Sequence, residues 1–101
     1  MTLRFTWRPD KAVSNLRKHG VTFESASRVF ADPFAFSEQD RIEDGEYRWQ
    51  TIGLIDGVTI LLVAHTVREQ RDGTEVMHII SARRAERHER RRYEQERFGQ
   101  L

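Results

Sequence analysis

Twice in the second half of the chain an Asp-Gly pair stands between runs of apolar and β-branched residues. Asp56-Gly57 separates YRWQTIGLI from VTILLVAHTVR, and Asp72-Gly73 separates that run from EVMHIISA. Asp-Gly tolerates the positive φ angles of a tight turn whose twist matches two flanking strands, so it is the strongest short hairpin signal. Two in succession predict a three-stranded antiparallel meander over residues 47–82. With 101 residues there is room for one modest core, so residues 1–101 are read as a single domain whose remaining segments cover this sheet.

The N-terminal part supplies the cover. Residues 3–7, LRFTW, alternate apolar and polar and predict a strand. Pro9 and Asp10 stop it and open a helix over residues 11–18, with Ala12, Leu16 and Val13 as its inward positions and Gly20 as its left-handed terminator. Thr22 caps a second helix over residues 23–30, whose inward stripe is Phe23, Ala26, Val29 and Phe30, before Asp32-Pro33 breaks it. Two short amphipathic helices joined by a tight turn need a sheet or another helix to bury their apolar sides. Residues 33–37 form a short strand on this reading, and the acidic stretch 38–46, EQDRIEDGE, an exposed loop. A final helix over residues 85–98 carries only Ala85, Tyr93 and Phe98 as apolar content, so it either docks on the open side of the sheet or is covered by a partner chain. The expected class is α+β.

The formal net charge of +1 conceals its distribution: residues 1–31 sum to +4, residues 32–56 to −5 and residues 57–101 to +2. Residues 83–92 alone hold six arginines and two glutamates. A solvated helix face accounts for many such charges. The consistent choice of arginine, whose planar fork grips phosphates, favours a polyanion as partner. There is no cysteine, which excludes thiolate chemistry and disulfides. The four histidines lack the HxxxH spacing of a metal site, so neither metal nor cofactor is expected. No apolar run approaches the roughly 18 residues that span a bilayer, and no signal-peptide pattern opens the chain. A cytoplasmic protein without membrane contact is expected.

The two turns imply a register. Pairing Ile55 with Val58 sets Arg48 opposite His65, and pairing Arg71 with Thr74 sets His65 opposite Ile80 and Val67 opposite His78. One face, carrying Tyr47, Trp49, Thr51, Ile55, Val58, Ile60, Leu62, Ala64, Met77 and Ile79, is then expected beneath the helices. The opposite face carries Ile52, Leu61, Val63 and Ile80 at one end and gathers Glu46, Arg48, Gln50, His65 and His78 at the other, with Arg68 and Arg83 at its rim.

Three stretches, WRPDKAVSNLRKHGVTFESASRVFADP, EYRWQTIG and IISARRAERHERRRYE, together resemble the BrnT family of toxins from prokaryotic type II toxin-antitoxin modules. The likeness runs over residues 5–94. Val67 stands where the family often has an acid, and His78 where it usually has an arginine. The resemblance implies a RelE-like fold, ribonuclease activity that arrests translation, and neutralisation by a small BrnA-like antitoxin. That antitoxin supplies the DNA-binding domain, so operator DNA is met only through the complex. The last helix and part of the polar sheet face are the expected antitoxin surface.

Metal-free RNA cleavage needs a base for the 2′-hydroxyl, a cation for the charge on phosphorus and an acid for the leaving oxygen. Histidine suits proton transfer near neutral pH, while arginine acts through charge. His65 is therefore the expected proton carrier, Arg48 and Arg83 the phosphate contacts, and Glu46 and His78 their catalytic neighbours. Arg68, Lys11, Arg84, Arg87 and Arg91 are expected to bind RNA. Against this stands a structural role for His65 as partner of Arg48 or Glu46. The other functional class is a non-catalytic nucleic-acid or protein-binding adaptor, including a degenerate toxin that serves as co-repressor.

Overall fold

The computed structural model describes residues 2–99. Five strands form one sheet: β1 (Leu3–Thr6), β2 (Phe36–Glu43), β3 (Glu46–Ile55), β4 (Thr59–Glu69) and β5 (Glu75–Arg84), in the order β1-β5-β4-β3-β2. The expected meander is its centre, β3-β4-β5, antiparallel throughout. Two strands extend it. Residues 38–43 of the stretch read as an acidic loop join Phe36 and Ser37 of the expected 33–37 strand to form β2, an edge strand paired antiparallel with β3, while residues 33–35 precede it as a turn. Its connection to β3 is a third Asp-Gly turn, with Asp44 at φ 52° and Gly45 at φ 76°. At the other edge β1 runs parallel to β5, with Thr6 beside His78.

Helix α1 (Pro9–His19) begins with proline at its first position and ends on Gly20 at φ 70°. Helix α2 (Phe23–Ser27) is capped by Thr22, whose Oγ1 accepts the Ser25 N–H, and passes into a 3-10 turn, Arg28–Ala31. The stripe behaves as expected: Phe23, Ala26 and Val29 pack with Val21, Ile55, Leu61, Val63, Ile79 and Ala82 in the larger core. Removing each of the Phe, Val, Leu and Ile side chains among them from water contributes about 1.5–3 kcal/mol. Gly53 lets this cover approach closely, because a Cβ there would stand 2.7 Å from Val29 Cγ1.

Helix α1 docks differently from expectation. Val13 and Leu16 are about half exposed, and the buried residue is Asn15. Its amide donates to the carbonyls of Val21 (3.0 Å) and Ala82 (2.8 Å) and accepts the Ala82 N–H (3.0 Å), which fastens the helix to β5 through the backbone.

Helix α3 (Arg87–Phe98) lies on the other face of the sheet. Tyr93 is buried there against Ile52 and Leu62, with Phe36, Leu54 and Ile60 around them. Polar anchors complete a thin apolar contact. Asp32 accepts the Tyr93 hydroxyl (2.6 Å) and the backbone N–H groups of Leu54 (2.8 Å) and Phe34 (3.0 Å). Burial works against the Asp32 carboxylate, but these hydrogen bonds outweigh it and hold its pKa below the usual range. Tyr93 is pushed up to about 12 by burial and by that same bond. No helix among the described residues is long and apolar enough to cross a membrane.

Candidate functional site

Helix α3 covers only part of its face, and beside it the sheet opens into a cleft of about 560 Å³. Alternation along the strands aims Glu46 and Arg48 from β3, Thr66 and Arg68 from β4, and Val76 and His78 from β5 at this space. Thr6 from β1, Glu43 from β2, and Arg8 and Lys11 from the start of α1 close its edges. Five of the expected site residues, Glu46, Arg48, Arg68, His78 and Lys11, therefore meet in one place.

The cleft is cationic at its working distance. Arg68 Nε donates to Glu46 Oε2 at 3.0 Å. That bond, helped by the charges of Arg68, Arg48 and His78, holds the Glu46 carboxyl below its ordinary range. Arg48 is different: its side chain is only 20% exposed, and its Nε sits 3.4 Å from Glu43 Oε2 without hydrogen-bond geometry. A buried guanidinium N–H without an acceptor is costly unless a ligand supplies one. His78 Nδ1 lies 2.9 Å from Thr6 Oγ1. A guanidinium with a spare donor, an imidazole and a rim of further cations can hold an anion and move a proton beside it.

His65 is not part of this cleft. It is 1% exposed on the helix-covered face, with Nε2 2.6 Å from Thr51 Oγ1 and the Phe30 ring in a T-shaped contact at 4.9 Å between centroids. Burial lowers its pKa, only partly countered by the Thr66 carbonyl, which favours the neutral ring. The register explains the inversion. Asp56 and Gly57 take φ 53° and 73°, and Val58 N–H closes the turn on the Ile55 carbonyl at 3.2 Å. The ladder nevertheless resumes with Ile55 opposite Thr59, leaving Val58 as an extra residue, 82% exposed. Every β4 side chain thereby changes sides: Trp49, not Arg48, faces His65, while Leu61 and Val63 point under the helices and Leu62 under α3.

The second hairpin departs in the same way. Its last pair is Glu69 with Glu75, so Val67 faces Met77 and Thr66 faces His78. A bulge leaves Ile80 unpaired, since Ala64 faces Ser81 and His65 faces Ile79. Arg83 also departs from expectation. Its two Nη atoms grip Glu89 at 2.8 and 3.0 Å, and Glu89 accepts the Glu86 N–H, so the pair locks the first turn of α3. Burial opposes the Glu89 carboxylate, but Arg83 and that N–H keep its pKa below the ordinary range. Arg84, Arg87 and Arg91 are exposed and stand outside the cleft lining. Arg92 is bound to Glu38 at 2.7 and 2.8 Å and lies over the Phe36 ring.

Thr6, Arg8, Glu43 and Thr66 line the site without having been singled out in the sequence. The Asp44-Gly45 turn was the available signal for Glu43, because it makes 38–46 a hairpin. Thr6 enters through a parallel pairing across 72 residues, for which no local pattern exists. Among the described residues no group of three His, Cys, Asp or Glu stands together as a metal-ligand set.

A family model described as "Ribonuclease toxin, BrnT, of type II toxin-antitoxin system" matches residues 7–89. Among solved structures, the crystal structure of the Brucella abortus ribonuclease toxin BrnT is similar to this chain with a TM-score of 0.60. The two are 23% identical, over 86% of this chain and 100% of that one, a likeness of fold. A search of curated proteins gave no match.

Proposed function

The chain belongs to the BrnT family of ribonuclease toxins of type II toxin-antitoxin systems, and from that premise we propose that the open-face cleft cleaves RNA without a metal ion. The activity arrests translation in the cytoplasm until a BrnA-like antitoxin covers the cleft, and operator DNA is contacted only through that complex. A RelE-like kinship of the fold belongs to the same reading.

The observation that carries it is the Arg48 guanidinium, mostly covered and with an Nε that lacks a hydrogen-bond partner, in the same cleft as the His78 imidazole. Arg48 binds the non-bridging oxygens of a phosphodiester and offsets the charge that grows on them. His78, through the ring nitrogen not engaged by Thr6, takes the proton of the adjacent 2′-hydroxyl as that oxygen attacks phosphorus. The bond to the 5′-oxygen breaks, and the leaving oxygen takes a proton from water at the cleft mouth. Glu46 holds Arg68 in place, and Arg68, Arg8 and Lys11 guide the strand by charge. His65 has no part in this chemistry.

Incubation of purified protein with RNA in EDTA, followed by mapping of the cut ends, tests the proposal. Cleavage that persists and leaves 2′,3′-cyclic phosphate and 5′-hydroxyl ends supports it; a strict requirement for a divalent ion overturns it.

A further inference from the structure

We propose that Thr6 is the positioning residue for His78: its hydroxyl oxygen accepts the His78 Nδ1–H and so presents Nε2 to the cleft as an unprotonated base. The proposal rests on the reading of the cleft as the RNA-cleaving site and adds to it which ring nitrogen works and what holds it.

The geometry begins with the backbone. Strand β1 runs parallel to β5 with Leu3 beside Glu75, Arg4 beside Val76, Phe5 beside Met77 and Thr6 beside His78. Partners in such a ladder point to the same face, and strands stand about 4.8 Å apart. A short β-branched hydroxyl on β1 thus reaches the near nitrogen of the imidazole, and the far one is left for whatever enters the cleft. Thr6 Oγ1 and His78 Nδ1 are 2.9 Å apart, and both residues line the cleft. Among the described residues neither the hydroxyl nor Nε2 has another side-chain hydrogen bond.

A neutral imidazole carries one proton, and the nitrogen that holds it is chosen by the partner of that nitrogen. An acceptor at Nδ1 serves throughout proton transfer. It fixes the proton on Nδ1 while Nε2 is a base, and it still accepts that proton when the ring becomes an imidazolium. The charged groups facing His78 come from every neighbouring element: Arg8 and Lys11 from α1 and its approach, Glu43 from β2, Glu46 and Arg48 from β3, and Arg68 from β4. Arg68 occupies Glu46 directly, and Glu43 stands next to Arg48. Thr6 is the hydrogen-bonding partner that holds the ring itself.

Imidazole nitrogen NMR on the full-length protein, above the titration of His78, reads the tautomer without any mutation. Proton on Nδ1 is expected; proton on Nε2 in the native chain overturns the proposal. Thr6→Val removes the acceptor while keeping the shape. It is expected to move the proton toward Nε2, lower single-turnover cleavage by about 10-fold with KM unchanged, and displace the acid limb of the pH–rate profile. Thr6→Ser should restore all three. A Thr6→Val protein with native tautomer and native pH profile overturns the proposal, and if His78→Gln then still abolishes cleavage, the cleft reading survives it. Native cleavage by His78→Gln removes both.

Discussion

The sheet carries a histidine on each of its faces, and the two could hardly be placed more differently. His65 sits on the helix-covered face, 1% exposed, with Thr51 on one nitrogen and Phe30 of the 3-10 turn in a T-shaped contact with its ring. His78 lies in the open cleft with Thr6 on one nitrogen, among Arg48, Glu46 and Arg68. The same side chain is a polar piece of the core on one face and a partly exposed member of a cleft lining on the other. Environment, not residue type, separates them: burial favours the neutral form of one ring, whereas the other stands in an open cleft with Arg48 and Arg68.

Arg48→Ala should sharpen this contrast most. Losing a preorganised cation at the developing charge is expected to slow RNA cleavage by about 10²–10³-fold. Its Nε makes no hydrogen bond within the described residues, so the melting temperature should stay within a few degrees of the native value. A native rate would dissolve the distinction between the faces.

His65→Ala should act in the opposite sense. It opens a cavity and leaves the Thr51 hydroxyl with Ser37 as its remaining side-chain partner, at a cost of about 2–4 kcal/mol in urea unfolding, while protein that remains folded cleaves at the native rate. Cleavage lost in proportion to Arg48→Ala would mean that the buried face takes part in chemistry.

The buried histidine also leaves a signature in pH. Its unfolded value is about 6.5 and its folded value lies lower, so the unfolded chain binds more protons between the two. Stability is therefore complete above about pH 6.5 and declines as pH falls below it, by at most about 1.4 kcal/mol per pH unit, until the folded value is passed. Unfolding series between pH 5 and 7.5 on native protein and His65→Ala should differ by this slope. Parallel slopes would show that the ring is not excluded from water. The smallest effect belongs to the boundary between the faces. Tyr93→Phe removes the hydroxyl that binds Asp32 and should cost about 1 kcal/mol. Amide exchange in α3 should rise while the helix-covered core stays protected.

Much of this was legible in the residues. The helix caps at Thr22 and Gly20, the stripe Phe23, Ala26, Val29 and the meander follow from local rules, because each depends on backbone preference or on spacing along a single element. Strand β2 was legible too: Asp44-Gly45 is as good a hairpin signal as the two that set the meander, but the charges around it read as a loop. The site was legible in membership more than in arrangement. Arg48, Glu46, Arg68, Lys11 and His78 were all candidates, yet the ring expected to work is buried behind the sheet and Arg83 is committed to Glu89.

The sequence by itself determined the central meander, the N-terminal strand and the helices, and that Glu46, Arg48, Arg68, His78 and Lys11 are candidates for one site. Only the tertiary structure decided which histidine shares that set's face. Side chains alternate along a strand with a period of two, so a single extra residue inverts everything beyond it. Whether the ladder resumes at Val58 or at Thr59 is settled by how β4 packs beneath the helices and α3, not by the turn residues themselves.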